Sequence, residues 1–257
     1  LQGYERMARL TGDIAEADWA QATADRARTA FHQKYWNGSY YVSPSHQGLP
    51  DDRPQALAVV SGTLPDTLYP ALRPFFGQQY HASPYMEKYV LQALCLMGYH
   101  QDALNRMKLR YRAMTDSPLT TLWEGWGIGS EGFGGGTYNH AWSGGPLTVM
   151  SQYIAGIEPT APAFRRFRVS PHPAHLNQIR AVVPLSGKRE IRLSLDKDSR
   201  RCDIVLEVPQ GTEACFCLPD GYTGMSVNGI ACQSAEKVLT PGVWNIRLTQ
   251  AGDYASK

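Results

Sequence analysis

Residues 83–114, SPYMEKYVLQALCLMGYHQDALNRMKLRYRAM, decide the fold of the first half of the chain. Apolar side chains recur twice at the spacing of one helical face, at Val90, Leu94 and Met97 and again at Leu104, Met107, Tyr111 and Met114. Gly98 lies between the two runs and is a natural helix stop. Because the link is so short, the pattern predicts an antiparallel helical hairpin.

Helical patterns continue on both sides of this hairpin. A stripe at spacings of three and four predicts a helix over residues 14–35, with Ala20, Ala24, Ala27, Phe31 and Tyr35 on one face. Shorter helices are predicted at 55–60 and 67–76, and a last one at 143–155. The opening GYERMARLTG, residues 3–12, is typical of the end of a helix already under way, and suggests a truncated chain.

Near Gly156 the period changes from helical to alternating. Four runs place apolar residues at every second position, at 191–195, 204–208, 214–218 and 244–248. Asn228-Gly229 is a strong hairpin turn. The pattern predicts half-buried antiparallel strands in a β-sandwich. The Pro-rich GIEPTAPAF, residues 156–164, is the expected connector between a helical domain at 1–156 and a sandwich at 157–257.

Composition excludes several classes of function. The hydrophobic fraction of 43% and charged fraction of 19% are typical of globular proteins. A formal net charge of +2 does not indicate strong electrostatic attraction to nucleic acid. We therefore interpret Arg165, Arg166 and Arg168 as solvated side chains on the surface. No apolar stretch reaches the length of a membrane-spanning helix. The five cysteines lack the CxxC spacing of zinc sites, and their odd number favours free thiols or one incidental bridge.

The stretch with the most chemistry is residues 120–146, TTLWEGWGIGSEGFGGGTYNHAWSGGP. Long irregular loops inside compact domains are usually functional, and glycines let a ligand approach the backbone. Glu124 is flanked by Trp123 and Trp126. An apolar environment raises the pKa of a carboxyl group, and glycosidases use this effect to give their acid and their base different pKa values. Indole faces also stack on sugars. The alternative is an ordinary loop glutamate that caps the backbone.

Two further side chains in the loop have two interpretations each. His140 is either a partner for a sugar hydroxyl or carboxylate, or a buried histidine satisfied by the backbone. Glu131 is either a second acid or a surface residue.

Three other signals in the chain are weak. The glycines at 134–136 lack the GK[ST] of a phosphate loop. His172 and His175 lie in a Pro-rich strand region that does not favour a metal site, and Ser143 lacks a nucleophile elbow. We therefore predict no metal ion and no organic cofactor.

The loop and its neighbours resemble one known family. The segments SPYMEKYVLQAL (83–94), TTLWEGW (120–126), NHAWSGGP (139–146), YIAGIEP (153–159) and VPQGTEACFCLP (208–219) are similar, in this order, to those of α-L-rhamnosidases, a family of glycoside hydrolases. The similarity covers nearly the whole chain. Taken together, the ordered motifs are fairly specific.

The resemblance implies both a fold and a reaction. Family members hydrolyse terminal α-L-rhamnosyl groups with inversion, on a toroid of six helical hairpins that precedes a β-sandwich. The general base of the family corresponds here to Glu124, and the pocket histidine to His140. Trp123, Trp126 and Trp142 would shape the sugar pocket. Asn139, in the same NHAW motif as His140, would bind substrate. Family habit suggests a periplasmic or extracellular location.

The chain departs from the family pattern in three ways. Nothing in it matches the acidic motif that supplies the general acid. Its helices make about half of a six-hairpin toroid, so a missing N-terminal segment or a second chain must complete the toroid, and the isolated fragment is expected to be inactive. WEGW replaces the common WERW. The alternatives are a related toroid glycosidase or phosphorylase with another sugar specificity, or a non-catalytic carbohydrate-binding protein.

Overall fold

The computed structural model describes residues 1–128, 136–199 and 201–250. The chain divides into two compact units, residues 1–139 and 140–257. The boundary between the units falls before the change of period near Gly156. The helical turns that end at Ile154 belong to the second unit, because this part of the chain is bonded to residues 170–172. The His172 N–H donates to the Ile154 carbonyl at 3.0 Å, and the Ser170 N–H donates to the Gly156 carbonyl at 2.9 Å.

The first unit is helical. Its helices are α1 (Gln2–Thr11), α2 (Ile14–Tyr35), α3 (Asp52–Val60), α4 (Tyr69–Phe76), α5 (Pro84–Leu96) and α6 (His100–Thr115), with a 3₁₀ turn at Asp66–Leu68. The predicted hairpin is formed by α5 and α6. Ser83 caps α5 by accepting from the Met86 N–H at 3.4 Å, and Gly98 makes the turn with φ of +83°.

The predicted core of the hairpin is confirmed, but the stripe on α2 is buried over only part of its length. Val90, Leu94 and Leu104 are at most 5% exposed. On α2, Ala20 and Ala24 are buried as predicted, whereas the next members, Ala27 and Phe31, are exposed. Those two side chains instead line an apolar groove of about 770 Å³ that also includes residues of α3.

A buried ionic network joins three helices of the first unit. The Arg106 guanidinium of α6 donates to Glu87 of α5 at 2.5 and 3.0 Å, and to Asp52 of α3 at 2.6 Å. Its Nη1 donates to the Phe76 and Gln79 carbonyls. Both carboxylates are fully buried, so the network fixes the relative positions of the three helices.

The second unit begins with three short helical turns, where the sequence predicts one helix. They are a 3₁₀ turn at Ala141–Gly144, α7 (Gly145–Val149) and a π turn at Met150–Ile154. Pro146 lies in the first turn of α7, where the N–H that it lacks would have no partner within the helix. The π turn follows from the Ala155 N–H, which donates to the Met150 carbonyl at 2.8 Å.

Two sheets make up the rest of the second unit. The strands are β1 (Ile157–Pro159), β2 (Arg166–Val169), β3 (Gln178–Leu185), β4 (Arg189–Lys197), β5 (Cys202–Val208), β6 (Glu213–Cys217), β7 (Tyr222–Val227), β8 (Ile230–Ala231), β9 (Glu236–Leu239) and β10 (Gly242–Gln250). One sheet has the order β1-β2-β6-β9, the other β3-β4-β5-β10-β7-β8. The pairing is antiparallel as predicted, except that β2 and β6 are parallel.

Alternating burial along these strands confirms the predicted sandwich pattern. Ile191, Leu193 and Leu195 of β4 are at most 1% exposed, and their sequence neighbours are more exposed. Leu218 lies just beyond the end of β6. Asn228 and Gly229 join β7 to β8 with φ of +50° and +81°, the geometry of the predicted hairpin turn.

Three further expectations concern cysteines, surface and membrane. All five cysteines are free thiols, which is one of the two predicted alternatives. Arg165, Arg166 and Arg168 are exposed, as predicted. Among the helices that the structure describes, none has the length and apolar character needed to cross a membrane.

Candidate active site

The two ends of the glycine-rich loop lie side by side in the first unit. The Glu124 N–H donates to the Thr137 carbonyl at 2.9 Å, and the Thr121 hydroxyl donates to the Tyr138 carbonyl. The Tyr138 hydroxyl reaches back to the Ile128 carbonyl at 3.2 Å. These bonds hold residues 121–128 against residues 136–138. Glu131, the second candidate acid, lies outside the described residues.

Glu124 is held at this junction through its carboxylate. Oε2 accepts from the Thr137 N–H at 2.8 Å and from the Thr137 hydroxyl at 3.3 Å. The residue is half-buried. A Cβ built on Gly136 would lie 3.3 Å from the Glu124 Cβ and Oε2, so a larger residue there would crowd the carboxylate. Charge-assisted bonds of this kind orient a carboxylate strongly.

Trp126 is anchored to the helical hairpin. Its Nε1 donates to the Ala82 carbonyl at 2.7 Å, and its ring meets Tyr111 edge-on with centroids 5.0 Å apart. The Arg110 guanidinium lies 4.2 Å from the ring centroid. Burial lowers the pKa of Arg110, although the nearby Glu87 carboxylate acts in the opposite direction. Burial raises the pKa of Tyr111. These contacts connect the WEGW motif to α6 and to the segment just before α5.

Trp123 and Asn139 complete the candidate residues of the first unit. The Trp123 N–H donates to the Met114 Sδ at 3.4 Å, and its ring meets Tyr138 edge-on at 5.4 Å. Asn139 is exposed, and its carbonyl lies 3.3 Å from the Thr137 hydroxyl, whose single proton is shared between this carbonyl and the Glu124 Oε2. Thr137 therefore contacts both Glu124 and Asn139.

His140 and Trp142 form a stacked pair in the second unit. Their ring centroids are 4.0 Å apart with an interplanar angle of 23°. The His140 Nδ1 accepts from the Trp142 N–H at 3.4 Å, so in the neutral ring Nε2 carries the proton. Trp142 is 41% exposed, which leaves part of its indole surface open to solvent. This geometry suits a polar donor beside an aromatic platform.

The structure thus places the six candidate residues in two groups. Trp123, Glu124, Trp126 and Asn139 lie in the first unit, and His140 and Trp142 lie in the second. Their individual roles stay predictions. Sequence reasoning missed Gly136, Thr137 and Arg110. Nothing in the spacing pairs Glu124 with Thr137, because the pairing depends on how the intervening glycine-rich loop closes.

Comparison with known proteins supports the predicted family. Residues 156–231 match the family model described as the bacterial alpha-L-rhamnosidase C-terminal domain. No curated protein sequence matches the chain.

Several solved structures share its fold. An α-L-rhamnosidase from Dictyoglumus thermophilum matches with a TM-score of 0.77 and 19% identity, over 96% of this chain and 30% of that one. A GH78 family rhamnosidase of Bacillus sp. GL1 gives 0.72 and 22%, over 84% and 24%. A Streptomyces avermitilis α-L-rhamnosidase, complexed with L-rhamnose, gives 0.75 and 19%, over 95% and 25%.

These matches bear on fold and family. At such identities the structures show the fold, and they confirm the predicted class of toroid helices followed by a β-sandwich. The chain spans only about a quarter to a third of the length of the matched structures, 24% to 30%. The resemblance to the α-L-rhamnosidase family that the sequence indicates is thus confirmed, in sequence over residues 156–231 and in fold over most of the chain.

Proposed function

We propose that the protein containing this chain is an inverting exo-glycosidase that removes terminal α-L-rhamnosyl groups, with Glu124 as the general base. The observation that carries the proposal is the double hydrogen bond from Thr137 to the Glu124 Oε2. It orients a half-buried carboxylate in the loop whose sequence resembles the family's base motif. The family relationship of residues 156–231 supports the substrate class.

The reaction needs two carboxyl groups. The Glu124 carboxylate takes a proton from water as the water oxygen attacks the anomeric carbon. The bond from that carbon to the leaving oxygen breaks, and a general acid protonates the leaving oxygen. Inverting glycosidases separate the two groups by roughly 6.5–9.5 Å so that the water fits. We place the general acid outside these 257 residues, since the matched structures are three to four times longer. Hydrolysis of this type needs no metal ion or cofactor.

The aromatic residues have different parts in this proposal. Trp142, with an exposed face stacked on His140, is suited to lie against the apolar C–H face of a sugar while the His140 Nε2–H binds a hydroxyl. The Trp126 ring already contacts Arg110 and Tyr111, and its Nε1 is bonded to the Ala82 carbonyl. We therefore assign Trp126 to support of the Glu124 loop. Trp123 and Asn139 are the remaining candidates for sugar contact.

The test uses the full-length polypeptide that carries this chain and an aryl α-L-rhamnoside. Glu124→Gln keeps the shape and removes the base, so kcat is expected to fall by about a hundredfold or more while L-rhamnose binding persists. Glu190→Gln, a partly exposed carboxylate on β4, is the matched control and should keep wild-type kcat.

Two further measurements separate the alternatives. Azide should restore turnover to Glu124→Ala and give a glycosyl azide of inverted configuration, because a small anion can occupy the place of the base and water. Near-normal activity of Glu124→Gln excludes Glu124 as the base. Sugar binding without turnover in the wild type would favour a binding protein, and release that requires phosphate would favour a phosphorylase.

A further inference from the structure

Two cysteines of the sandwich lie on one face of a strand. In β6, Ala214 and Phe216 are fully buried, so Cys215 and Cys217 point to the opposite side of the sheet. Their sulfur atoms are 3.9 Å apart. Cys215 is half-buried and Cys217 is 7% exposed, so the pair is recessed but reachable from solvent.

A carboxylate from the neighbouring strand completes a triangle with these sulfurs. Glu236 of β9 is the direct antiparallel partner of Cys217. Its Oε1 lies 3.8 Å from the Cys217 Sγ, and its Oε2 lies 4.0 Å from the Cys215 Sγ. One potential ligand atom from each residue can be chosen so that all three lie within 4.8 Å of one another. Glu236 is exposed, which leaves an approach from solvent.

We propose that Cys215, Cys217 and Glu236 bind a thiophilic divalent cation of the zinc type. In a tetrahedral site with Zn–S near 2.3 Å and Zn–O near 2.0 Å, two sulfurs are about 3.8 Å apart and sulfur and oxygen about 3.5 Å apart. The sulfur–sulfur separation of 3.9 Å matches the first value. The distances of 3.8 and 4.0 Å from Glu236 run to its two different oxygens, and a single oxygen lies within 4.8 Å of both sulfurs. Rotation of the exposed Glu236 side chain would bring that oxygen to coordinating distance.

The donor set decides the class of cation. Thiolates are soft ligands, which favour Zn²⁺ or Cd²⁺ over the hard cations Ca²⁺ and Mg²⁺. Three protein ligands leave the fourth tetrahedral position to water or to a donor from a bound molecule. Both thiols must lose their protons to solvent when the cation binds. Burial, with the neighbouring Cys217 and Glu236, raises the pKa of the Cys215 thiol to about 11, and Arg168 of β2 acts in the opposite direction, so the cation itself must displace the proton.

A disulfide is the competing use of two adjacent thiols, and the strand opposes it. Residues two apart in a strand are separated by about 6.6–6.8 Å, at the upper limit of the distance that a disulfide spans between Cα atoms. The sulfurs would also have to approach from 3.9 Å to bonding distance. The reduced pair is therefore the form that fits this backbone.

The test is titration of the 257-residue chain with Cd²⁺, under a non-thiol reductant, followed by the ultraviolet thiolate-to-metal charge-transfer band. We expect one equivalent per chain, displaced by Zn²⁺. Cys215→Ser and Cys217→Ser should each weaken binding at least about a hundredfold, and Glu236→Gln about tenfold. Cys232→Ser, which removes another partly exposed thiol, is the control and should bind as the wild type does.

Two readouts keep the outcome clear. Zn²⁺ should raise the Tm of the wild type and of Cys232→Ser but not of the two strand variants, because a ligand stabilises only a state that binds it. Circular dichroism checks that each variant is folded, and Glu236→Gln alters only an exposed side chain. Absence of the charge-transfer band, an unchanged affinity in both cysteine variants, or an unchanged affinity in Glu236→Gln overturns the three-ligand site. The proposal is independent of the glycosidase assignment.

Discussion

Glu124 and Thr137 are bonded in both directions. Thr137 donates its N–H to the Glu124 Oε2 at 2.8 Å, and Glu124 donates its N–H to the Thr137 carbonyl at 2.9 Å. The Thr137 hydroxyl adds a third bond at 3.3 Å. A side chain held at both its backbone and its carboxylate has few conformations left. This restriction is what a base needs if it is to meet a water molecule in one fixed orientation.

Thr137→Val is predicted to lower kcat moderately. The variant removes the hydroxyl donor but keeps the backbone N–H, so Glu124 loses the longer of its two bonds at Oε2. If the lost hydrogen bond contributes about 1 kcal/mol to stabilisation of the transition state, kcat falls about fivefold and KM changes little. Steady-state kinetics of the full-length polypeptide on an aryl rhamnoside, the substrate class of the proposed function, measure both parameters.

The matched control for this prediction is Thr121→Val. Thr121 also ties the loop, through the Tyr138 carbonyl, but its hydroxyl bond does not involve Glu124. If the two variants reduce kcat equally, the Thr137 hydroxyl acts on loop stability and not on the carboxylate. A loss in Thr137→Val as large as that in Glu124→Gln would instead show that the hydroxyl contacts the substrate.

Arg106→Met is predicted to destabilise the first unit by about 3–5 kcal/mol. The change leaves the fully buried Asp52 and Glu87 carboxylates without their shared cation. Urea unfolding of the chain measures the free energy. Arg73→Met is the control, because the Arg73–Asp102 pair is partly exposed and should cost less than about 1 kcal/mol. Equal losses in the two variants would contradict the argument from burial.

Cys95 is predicted to resist alkylation. Burial in α5 raises the pKa of its thiol to about 12, so at pH 8 only about one molecule in ten thousand carries the reactive thiolate. Iodoacetamide should modify the partly exposed Cys232 in the folded chain and reach Cys95 only in urea. Peptide mass spectrometry distinguishes the two sites. Rapid labelling of Cys95 without denaturant would show that α5 opens readily.

The same pKa shift gives a sign for the effect of alkaline pH. The unfolded thiol ionises near its usual pKa of about 8.5, whereas the folded thiol keeps its proton until about pH 12. The contribution of Cys95 to stability is therefore complete below about pH 8.5 and is lost as the pH rises towards 12. Urea unfolding at pH 8 and pH 10 should show a smaller loss in Cys95→Ala than in the wild type.

How much the sequence predicts depends on the range of the interaction. The period of apolar residues predicts α2 with its observed bounds, Ile14–Tyr35, and the turn at Gly98, because both depend on neighbours within one or two turns. It does not predict that Phe31 would be 40% exposed. Burial of that residue depends on which other elements cover the helix, and the sequence of α2 alone does not specify those elements. The parallel pairing of β2 with β6 is hidden for the same reason.

The candidate site shows the same limit. Glu124 and His140 stand out by motif, yet the residue that orients Glu124, through its backbone N–H and its hydroxyl, lies thirteen residues away at Thr137, beyond the glycine run. The stack of His140 on Trp142 depends on the 3₁₀ turn at Ala141–Gly144, in a stretch where the sequence predicts an α-helix only from Ser143 onward. Local patterns identify chemically active residues, and loop closure decides their partners.

Gly156→Ala is predicted to be among the most damaging small changes in the second unit. Gly156 has φ of +70°, and a Cβ there would lie 1.9 Å from the Ser170 carbonyl oxygen. The backbone of Ser170 cannot move away easily, since its N–H donates to the Gly156 carbonyl and β1 pairs with β2 beside it. We expect a loss of about 3 kcal/mol or more, from the sum of backbone strain and displaced strands.

Gly187→Ala separates these two causes. Gly187 has almost the same φ, +72°, but a Cβ added there would meet no atom within 4 Å, so only the cost of the left-handed backbone remains, about 1–2 kcal/mol. Thermal or urea unfolding of the two variants gives the difference directly. A larger loss in Gly156→Ala assigns the excess to the clash with Ser170. Equal losses would mean that the two strands move apart at no cost, and that Gly156 is needed for its backbone angle alone.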